Sequence, residues 1–485
     1  MNFSALLSNK RNVIILLVVV LLLVGIGVVL VLRPSGPGDE PPAPPQPIQA
    51  ELTWWKPFYG AETYSEIIQD FQQSNPAYAQ IRINMVTKDY GDGSNYYRSV
   101  INDIARDAGP DIFTIRNDDL PAYSEYMTPN SLITGQVLTK YKQDFVPLAV
   151  RDTTAGDEVY AITSYVENMQ LYYNQNILSQ AGIALPAQSW ADLDRQLPLL
   201  NRRDASGLNF RQNAISLGTG GRGAEGDPNI NRFQDLIPLL IFQSGGSIYD
   251  SQTGTVTLGT EANETDVQSG LTSANNFGSN DESEAFDALD FYTDFADVRS
   301  NRYSWNTSSP NNIDQFVNGD LAYMLHYKYM DDILQSRNSR LPYSVAALPQ
   351  LDQENKKTFG FFFMDGMSIE LSRNPAKANR RAAAEAFLYY LSTPAAQNKL
   401  AVKTRLPSAR KDVIAEQQQS DNTTAVFASG ALYADNYYKP SVEGVEQIWA
   451  DLVERIQYEG QPLRDSLSEA RAEYQNYVSR GPEIR

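Results

Sequence analysis

The chain has 485 residues, with 40 Lys and Arg against 58 Asp and Glu, one histidine and no cysteine. Zero cysteines exclude disulfides, thiolate chemistry and cysteine metal sites, and a lone His326 excludes a histidine-based zinc centre. The formal charge of −18 argues against nucleic acid or an anionic membrane surface as partner, because both need clustered Lys and Arg. An acidic surface also keeps an exported protein soluble. Tyrosine (28) outnumbers phenylalanine (19), and five tryptophans are added. Such rings suit surfaces that hold amphipathic ligands, although most serve as ordinary core.

Residues 13–32 form an uncharged run of twenty, preceded by Lys10 and Arg11. A helix of that length spans a hydrocarbon core of about 30 Å. The preceding positive charges keep residues 1–12 in the cytoplasm and send the rest outward. A cleaved signal peptide is the competing reading. Its apolar core is usually about 7–15 residues with a small-residue cleavage site, whereas this run exits through Arg33-Pro34-Ser35-Gly36. The sequence therefore favours an uncleaved single-pass anchor, and without cysteine the chain cannot be held by a lipid on a cysteine. Seven prolines within residues 34–47 make 33–50 a semi-rigid stalk. The first 33 residues hold three basic and no acidic side chains, so the exported part carries 37 basic against 58 acidic groups, a charge of −21.

Strand and helix signals then alternate. Leu52-Thr53-Trp54-Trp55 is β-prone, and Thr63-Tyr64-Ser65-Glu66 fits a capping box opening a helix that stops at Asn75-Pro76. Ile81, Ile83 and Met85 alternate as in a half-buried strand. The spacing predicts a helix over 96–106, broken by Gly109-Pro110, then a buried strand over 111–115. That order argues for an α/β layer with a largely parallel sheet. Ser189-Trp190-Ala191-Asp192 is a second capping box. Further helices are expected over 286–295, 381–391, 445–456 and 463–478, and a surface hairpin or loop over 251–283.

Taken in order, these segments resemble a family: the extracellular solute-binding proteins of ABC importers, in the sugar-binding group similar to maltose-binding protein. LTWWKPFYGAETYSEIIQDFQQSNP is similar to its first strand and helix, and AGPDIFTIRNDDLPAYSEY to its next buried strand and loop. VYAITSYVENMQLYYNQNILSQAGIALPAQSWADLDRQLPLL resembles the entry into the second lobe. FVNGDLAYMLHY, FGFFFMDGMSIELSRNP and LSTPAAQNKLAVKTRLPSARKDV follow in family order. One departure is the anchor, since many relatives use a lipidated cysteine.

The resemblance implies a two-lobed α/β periplasmic-binding-protein fold with a hinge of three crossing strands, preceded by one transmembrane helix. Lobe I would comprise 51–166 with 367–404, and lobe II 167–366 with 405–485. The crossings would lie near 166–168, 362–366 and 405–407. It also implies a monomeric, non-enzymatic receptor on the outer face of the membrane. That receptor would bind a sugar in an interlobe cleft and deliver it to the membrane subunits of an ABC permease, without cofactor or metal.

Sugar recognition needs aromatic faces and paired hydrogen-bond groups. Of Trp54 and Trp55, at most one faces ligand in a regular strand. Glu62 either accepts sugar hydroxyls or complements the helix dipole. Asn117 and Asp118 follow a strand C-terminus, where open α/β sheets place ligands, and otherwise form a turn. Glu167 and Asn168 sit at the expected hinge. Trp305, His326, Tyr327, Phe361, Phe362, Asp365, Arg405 and Tyr438 complete the candidates, each weighed against a structural role. Two alternatives stay open: a receptor presenting ligand to a sensor or adhesion system, and a glycoside hydrolase. The latter would need two carboxylates about 5–10 Å apart, which Glu62, Asp118, Glu167 and Asp365 could supply.

Overall fold

The computed structural model describes residues 47–483, apart from 92–93, 206–208, 221–227, 252, 260–282 and 421. The expected anchor (13–32) and nearly all of the stalk lie outside the described residues. Among the described residues no helix is long and apolar enough to cross a membrane.

The N-terminal alternation builds one open sheet. β1 (Glu51–Lys56) leads to helix α1 (Ala61–Ser74), β2 (Arg82–Thr87), α2 (Ser94–Ile104) and β3 (Ile112–Arg116). β1 lies between β2 and β3 and is parallel to both. α1 starts at Ala61, ahead of the Thr63 capping box expected from the sequence. Thr63 is buried inside the first turn, and Glu62 folds back so that its Oε1 accepts the Gly60 N–H at 3.1 Å. Tyr64, Ile67 and Phe71 point into the core on one face, as their helical spacing requires.

The chain leaves this sheet through β4 (Ala161–Thr163) and passes β5 (Glu167–Asn168) into β6 (Gln170–Asn174). After α3 (Trp190–Leu200) come β7 (Phe210–Ile215), α4 (Phe233–Gln243), β8 (Leu321–His326) and β9 (Tyr343–Ala346). With Arg202–Arg203 at one edge they form a second sheet, ordered Arg202–Arg203, β7, β8, β6, β9. The capping box opening α3 forms as expected, Asp192 N donating to Ser189 Oγ at 3.1 Å and Ser189 N to Asp192 Oδ2 at 3.2 Å. At the start of the expected 251–283 loop a short hairpin pairs Tyr249–Asp250 with Thr255–Val256, and 260–282 lie outside the described residues.

The return runs through β10 (Thr358–Phe361) into β11 (Phe363–Ser368). β11 pairs with β3 from Phe363 onward, so the chain re-enters the first sheet ahead of residue 367. Helices α5 (Ala378–Leu391) and α6 (Pro394–Thr404) cover that sheet. A short strand β12 (Ala434–Asp435) then lies beside β10, and α7 (Val442–Gln457) and α8 (Leu463–Arg480) pack on the second core.

Two apolar cores result. One gathers Trp54, Tyr64, Phe71, Phe113, Met364 and Phe387 around the first sheet; the other gathers Tyr172, Trp190, Trp305, Tyr323 and Trp449 around the second. Three segments meet between them. β5 pairs with β10 in the register Glu167↔Phe361 and Asn168↔Gly360. The 405–409 segment joins from the side, Val166 N donating to Pro407 O at 2.9 Å and Tyr165 bridging Ser408.

Candidate functional site

Parallel strands put their C-terminal ends on one edge, so β1 and β3 deliver Phe58-Tyr59 and Arg116-Asn117-Asp118 to the same rim. In the second sheet β7 and β8 are parallel, and β8 runs out through His326-Tyr327-Lys328-Tyr329. The two rims meet at the crossing strands.

Aromatic rings form a continuous path across that seam. Phe58 meets Tyr90 at 5.2 Å and Phe363 at 5.0 Å between centroids, and Phe363 meets Phe361 at 6.1 Å. Phe361 meets Tyr327 at 4.8 Å, and Tyr327 stacks on Tyr329 at 5.8 Å. The path thus begins on the first lobe, crosses on the hinge and ends on the second. Tyr59 adds a ring 6.1 Å from Tyr165. Its φ of 56° is a left-handed conformation that costs a non-glycine residue about 1–2 kcal/mol. Strain of this kind concentrates where a side chain must be aimed for function.

Glu167 sits under this path. Its Oε2 accepts the Lys328 N–H at 2.8 Å, linking the hinge to the second lobe. Burial is the main cause of its pKa being pushed up to about 7, the Lys328 and Tyr329 backbone N–H groups opposing it. A carboxyl protonated near neutrality both donates and accepts hydrogen bonds, as does a sugar hydroxyl. His326, at the end of β8, is fully buried against Tyr327 and Tyr329. Desolvation, then Arg232, lowers its pKa to about 3, so the ring is neutral. Its Nδ1 accepts the Tyr327 N–H at 2.9 Å, which leaves the proton on Nε2, facing Asn231 Oδ1 at 2.9 Å.

Behind the rings lies a buried charge network. Asp118 Oδ2 is 3.2 Å from Arg116 Nη2 and 3.4 Å from Lys439 Nζ. Arg232 pairs with Asp235 at 2.7 Å and with Glu446 at 3.2 Å, and Tyr327 donates to Asp235 at 2.7 Å. The Arg116 guanidinium also lies 4.8 Å over the Phe361 ring. Asn117 ties this rim to the hinge: its Oδ1 accepts the Phe362 N–H at 3.0 Å, and its Nδ2 donates to Asp152 at 2.7 Å.

The structure therefore brings together Asn117, Asp118, Glu167, His326, Tyr327, Phe361 and Phe362 from the sequence candidates. Glu62 lies exposed just past Tyr59 and Gly60. The others sit elsewhere. Trp54 and Asp365 are inside the first core, where Trp54 Nε1 donates to Asp365 at 3.0 Å and Lys56 Nζ pairs with the same carboxylate at 2.9 Å. Trp55 packs with Lys88 3.7 Å over its ring. Asn168 is buried, Nδ2 donating to Phe427 O at 2.9 Å, and Trp305 is buried in the second core. Arg405 is an exposed left-handed C-cap of α6, and Tyr438 packs on Tyr249 at 5.0 Å. Sequence reasoning missed Tyr59, Tyr165, Arg116, Arg232, Asp235, Tyr329 and Lys439, which carry no local motif. A separate groove of about 600 Å³, lined by Arg151, Lys357, Tyr433 and Asp435 among others, lies apart from the aromatic path.

Two α/β lobes joined by crossing segments define a periplasmic-binding-protein architecture. The sequence profile of the bacterial extracellular solute-binding proteins matches residues 66–456, and the chain belongs to that family. It is a solute-binding protein, not an enzyme. Solved structures share the fold at low identity. The cyclic α-maltosyl-1,6-maltose binding protein of Arthrobacter globiformis superposes with a TM-score of 0.66 at 15% identity, covering 89% of this chain and 99% of that one. A cyclo/maltodextrin-binding protein complexed with maltotetraose gives 0.65 at 14%, covering 91% and 100%. The maltose-binding periplasmic protein of Listeria monocytogenes, in complex with maltose, gives 0.63 at 16%, covering 89% and 98%. A search of curated protein sequences finds no match.

Proposed function

We propose that this chain is a membrane-tethered receptor that binds a carbohydrate between its lobes and delivers it to an ABC permease. The observation that carries the reading is the aromatic path from Phe58 through Phe363 and Phe361 to Tyr327 and Tyr329. Flat rings suit the apolar C–H faces of a sugar, and Glu167 beside them supplies a carboxyl able to serve hydroxyls as donor and acceptor. The solved relatives hold maltose and maltotetraose, which agrees with this chemistry. Residues 13–32 form the tether and the proline-rich stalk the spacer. At about 3.1 Å per residue, a stalk of about 15 residues reaches on the order of 45 Å, enough to meet a permease in the same membrane. Lobe I comprises the segments before 166 and around β11, α5 and α6; lobe II comprises the second sheet with α7 and α8.

Closure of the lobes on solute draws its free energy from contacts made only in the closed state. A thermal-shift panel of sugars, peptides and polyamines on the purified chain tests the assignment. A carbohydrate at a hundred times its dissociation constant adds about 2.7 kcal/mol of stability. A shift from peptides or polyamines alone contradicts the carbohydrate reading and leaves the binding-protein assignment in place.

A further inference from the structure

We propose that Asp118 is a built-in counter-anion that makes the interlobe seam select against acidic sugars; the inference rests on the carbohydrate reading above. Asp118 and Lys439 side chains are both fully buried, and one carboxylate oxygen of Asp118 lies within 3.4 Å of both Arg116 and Lys439. A single carboxylate thus serves two cations drawn from distant parts of the chain. The remaining cation of the network, Arg232, is served by Asp235 and Glu446. Three buried or half-buried cations (Arg116, Arg232, Lys439) therefore face three carboxylates (Asp118, Asp235, Glu446), and the cluster is electrically balanced without any ligand.

The neighbouring lysine and arginine charges are themselves paired. Lys328 pairs with Asp331 at 2.8 Å, Asp152 is held by Arg151 at 2.6 Å, and the Asp119 carboxylate accepts from the Tyr97 hydroxyl. Glu167, engaged by the Lys328 N–H, and the exposed Asp332, whose charge reaches Glu167 and Tyr59, are further carboxyls near the rings, and neither adds a cation. A sugar bearing a carboxylate, sulfate or phosphate would bring a further negative charge into a low-dielectric seam whose cations are already neutralised. An uncompensated buried charge is costly. A neutral saccharide meets no such barrier, and stacking on the partly exposed Phe361 and Tyr329 does not depend on charge.

The same geometry makes the selectivity reversible. Asp118→Asn keeps the size of the side chain and removes its charge, leaving Arg116 and Lys439 without their shared carboxylate and the cluster one positive charge in excess. That vacancy is suited to an external anion. Asp118→Asn combined with Lys439→Met removes one charge of each sign and restores the balance.

The experiment uses the full-length chain in detergent, as wild type, Asp118→Asn and the Asp118→Asn/Lys439→Met pair. Each is titrated with digalacturonate and, separately, with inorganic sulfate, reading heat and melting temperature, with a neutral disaccharide and trisaccharide series run in parallel. The expected result is binding of digalacturonate about tenfold or more tighter in Asp118→Asn than in wild type, stabilisation of that variant by sulfate, and loss of both gains in the double variant. No gain in anion binding by Asp118→Asn, or an equal gain in the double variant, overturns the proposal. If Asp118→Asn does not fold unaided, its refolding yield in sulfate against chloride at matched ionic strength is the readout. Higher recovery in sulfate supports the proposal and equal recovery overturns it. Failure of wild type to bind any neutral sugar contradicts the carbohydrate reading, while the anion titrations still decide the role of Asp118.

Discussion

Glu167 sits in an environment that its neighbours in sequence do not suggest. Folding raises its pKa from 4.5 to about 7, chiefly by burial, so the folded chain holds the proton more tightly than the unfolded one. Its contribution to stability is therefore full below its ordinary carboxyl range and is lost as pH rises through about 7. Glu167→Gln carries no titrating proton and keeps an acceptor for the Lys328 N–H. Relative to wild type it should gain up to about 3 kcal/mol between roughly pH 5 and pH 8, as followed by urea denaturation across that range. A constant difference between the two proteins would contradict the assignment. Glu167 was legible as a hinge candidate because a resemblance placed it there, but its protonation was not, since that depends on burial by segments distant in sequence. Tyr59 and Lys439 were not legible at all. Lys439 meets Asp118 across 321 positions, and no local pattern records such a partner.

At the scale of elements, the crossing strands do two kinds of work. Phe361 and Phe363 turn their rings into the seam, whereas Asp365 on the same return segment turns inward and accepts from Lys56 at 2.9 Å and from Trp54 at 3.0 Å. Trp54 and Asp365 were weighed as ligand residues because both types suit sugars. Phe363 and Asp365 share a face of β11, but Phe363 pairs with Arg116 at the rim whereas Asp365 pairs with Thr114 farther into the sheet. Asp365 therefore meets Trp54 in the core, where the indole edge meets Tyr64 at 4.7 Å and Phe387 at 5.4 Å. Removing one partner of a buried ion pair strands the other. Lys56, its pKa already lowered mainly by burial and sustained by Asp365, would be stranded in Asp365→Asn. That change should cost about 3 kcal/mol or more, and Lys56→Met with Asp365→Leu should recover most of it. Midpoints of urea denaturation check both; a single variant as stable as wild type would contradict the pairing. Helices with strong periodicity were read to within a few residues, as at 463–478 against Leu463–Arg480. The first helix was misread at its start because Glu62, not Thr63, satisfies the first orphaned N–H.

On the scale of the whole molecule, ordered motifs make the two-lobed architecture legible in the sequence. No single strand or capping box carries that inference; the succession of parallel strands, crossing segments and return strand does. What the order could not reveal is which side chains meet where the lobes close, because the seam is assembled from β1, β3, β5, β8, β10 and the segment before α7. The acidic composition and the uncharged run 13–32 are read from the full sequence and motivate the proposal of a receptor held outside the membrane. The account's central claim is that carbohydrate binds on the aromatic path between the lobes. Isothermal titration calorimetry of neutral maltodextrins into wild type and Phe361→Ala tests it most directly. Saturable binding by wild type, weakened about tenfold or more when the ring central to the path is removed, is the result the account predicts. Equal affinity in the two proteins, or no binding of any neutral saccharide by wild type, would contradict it.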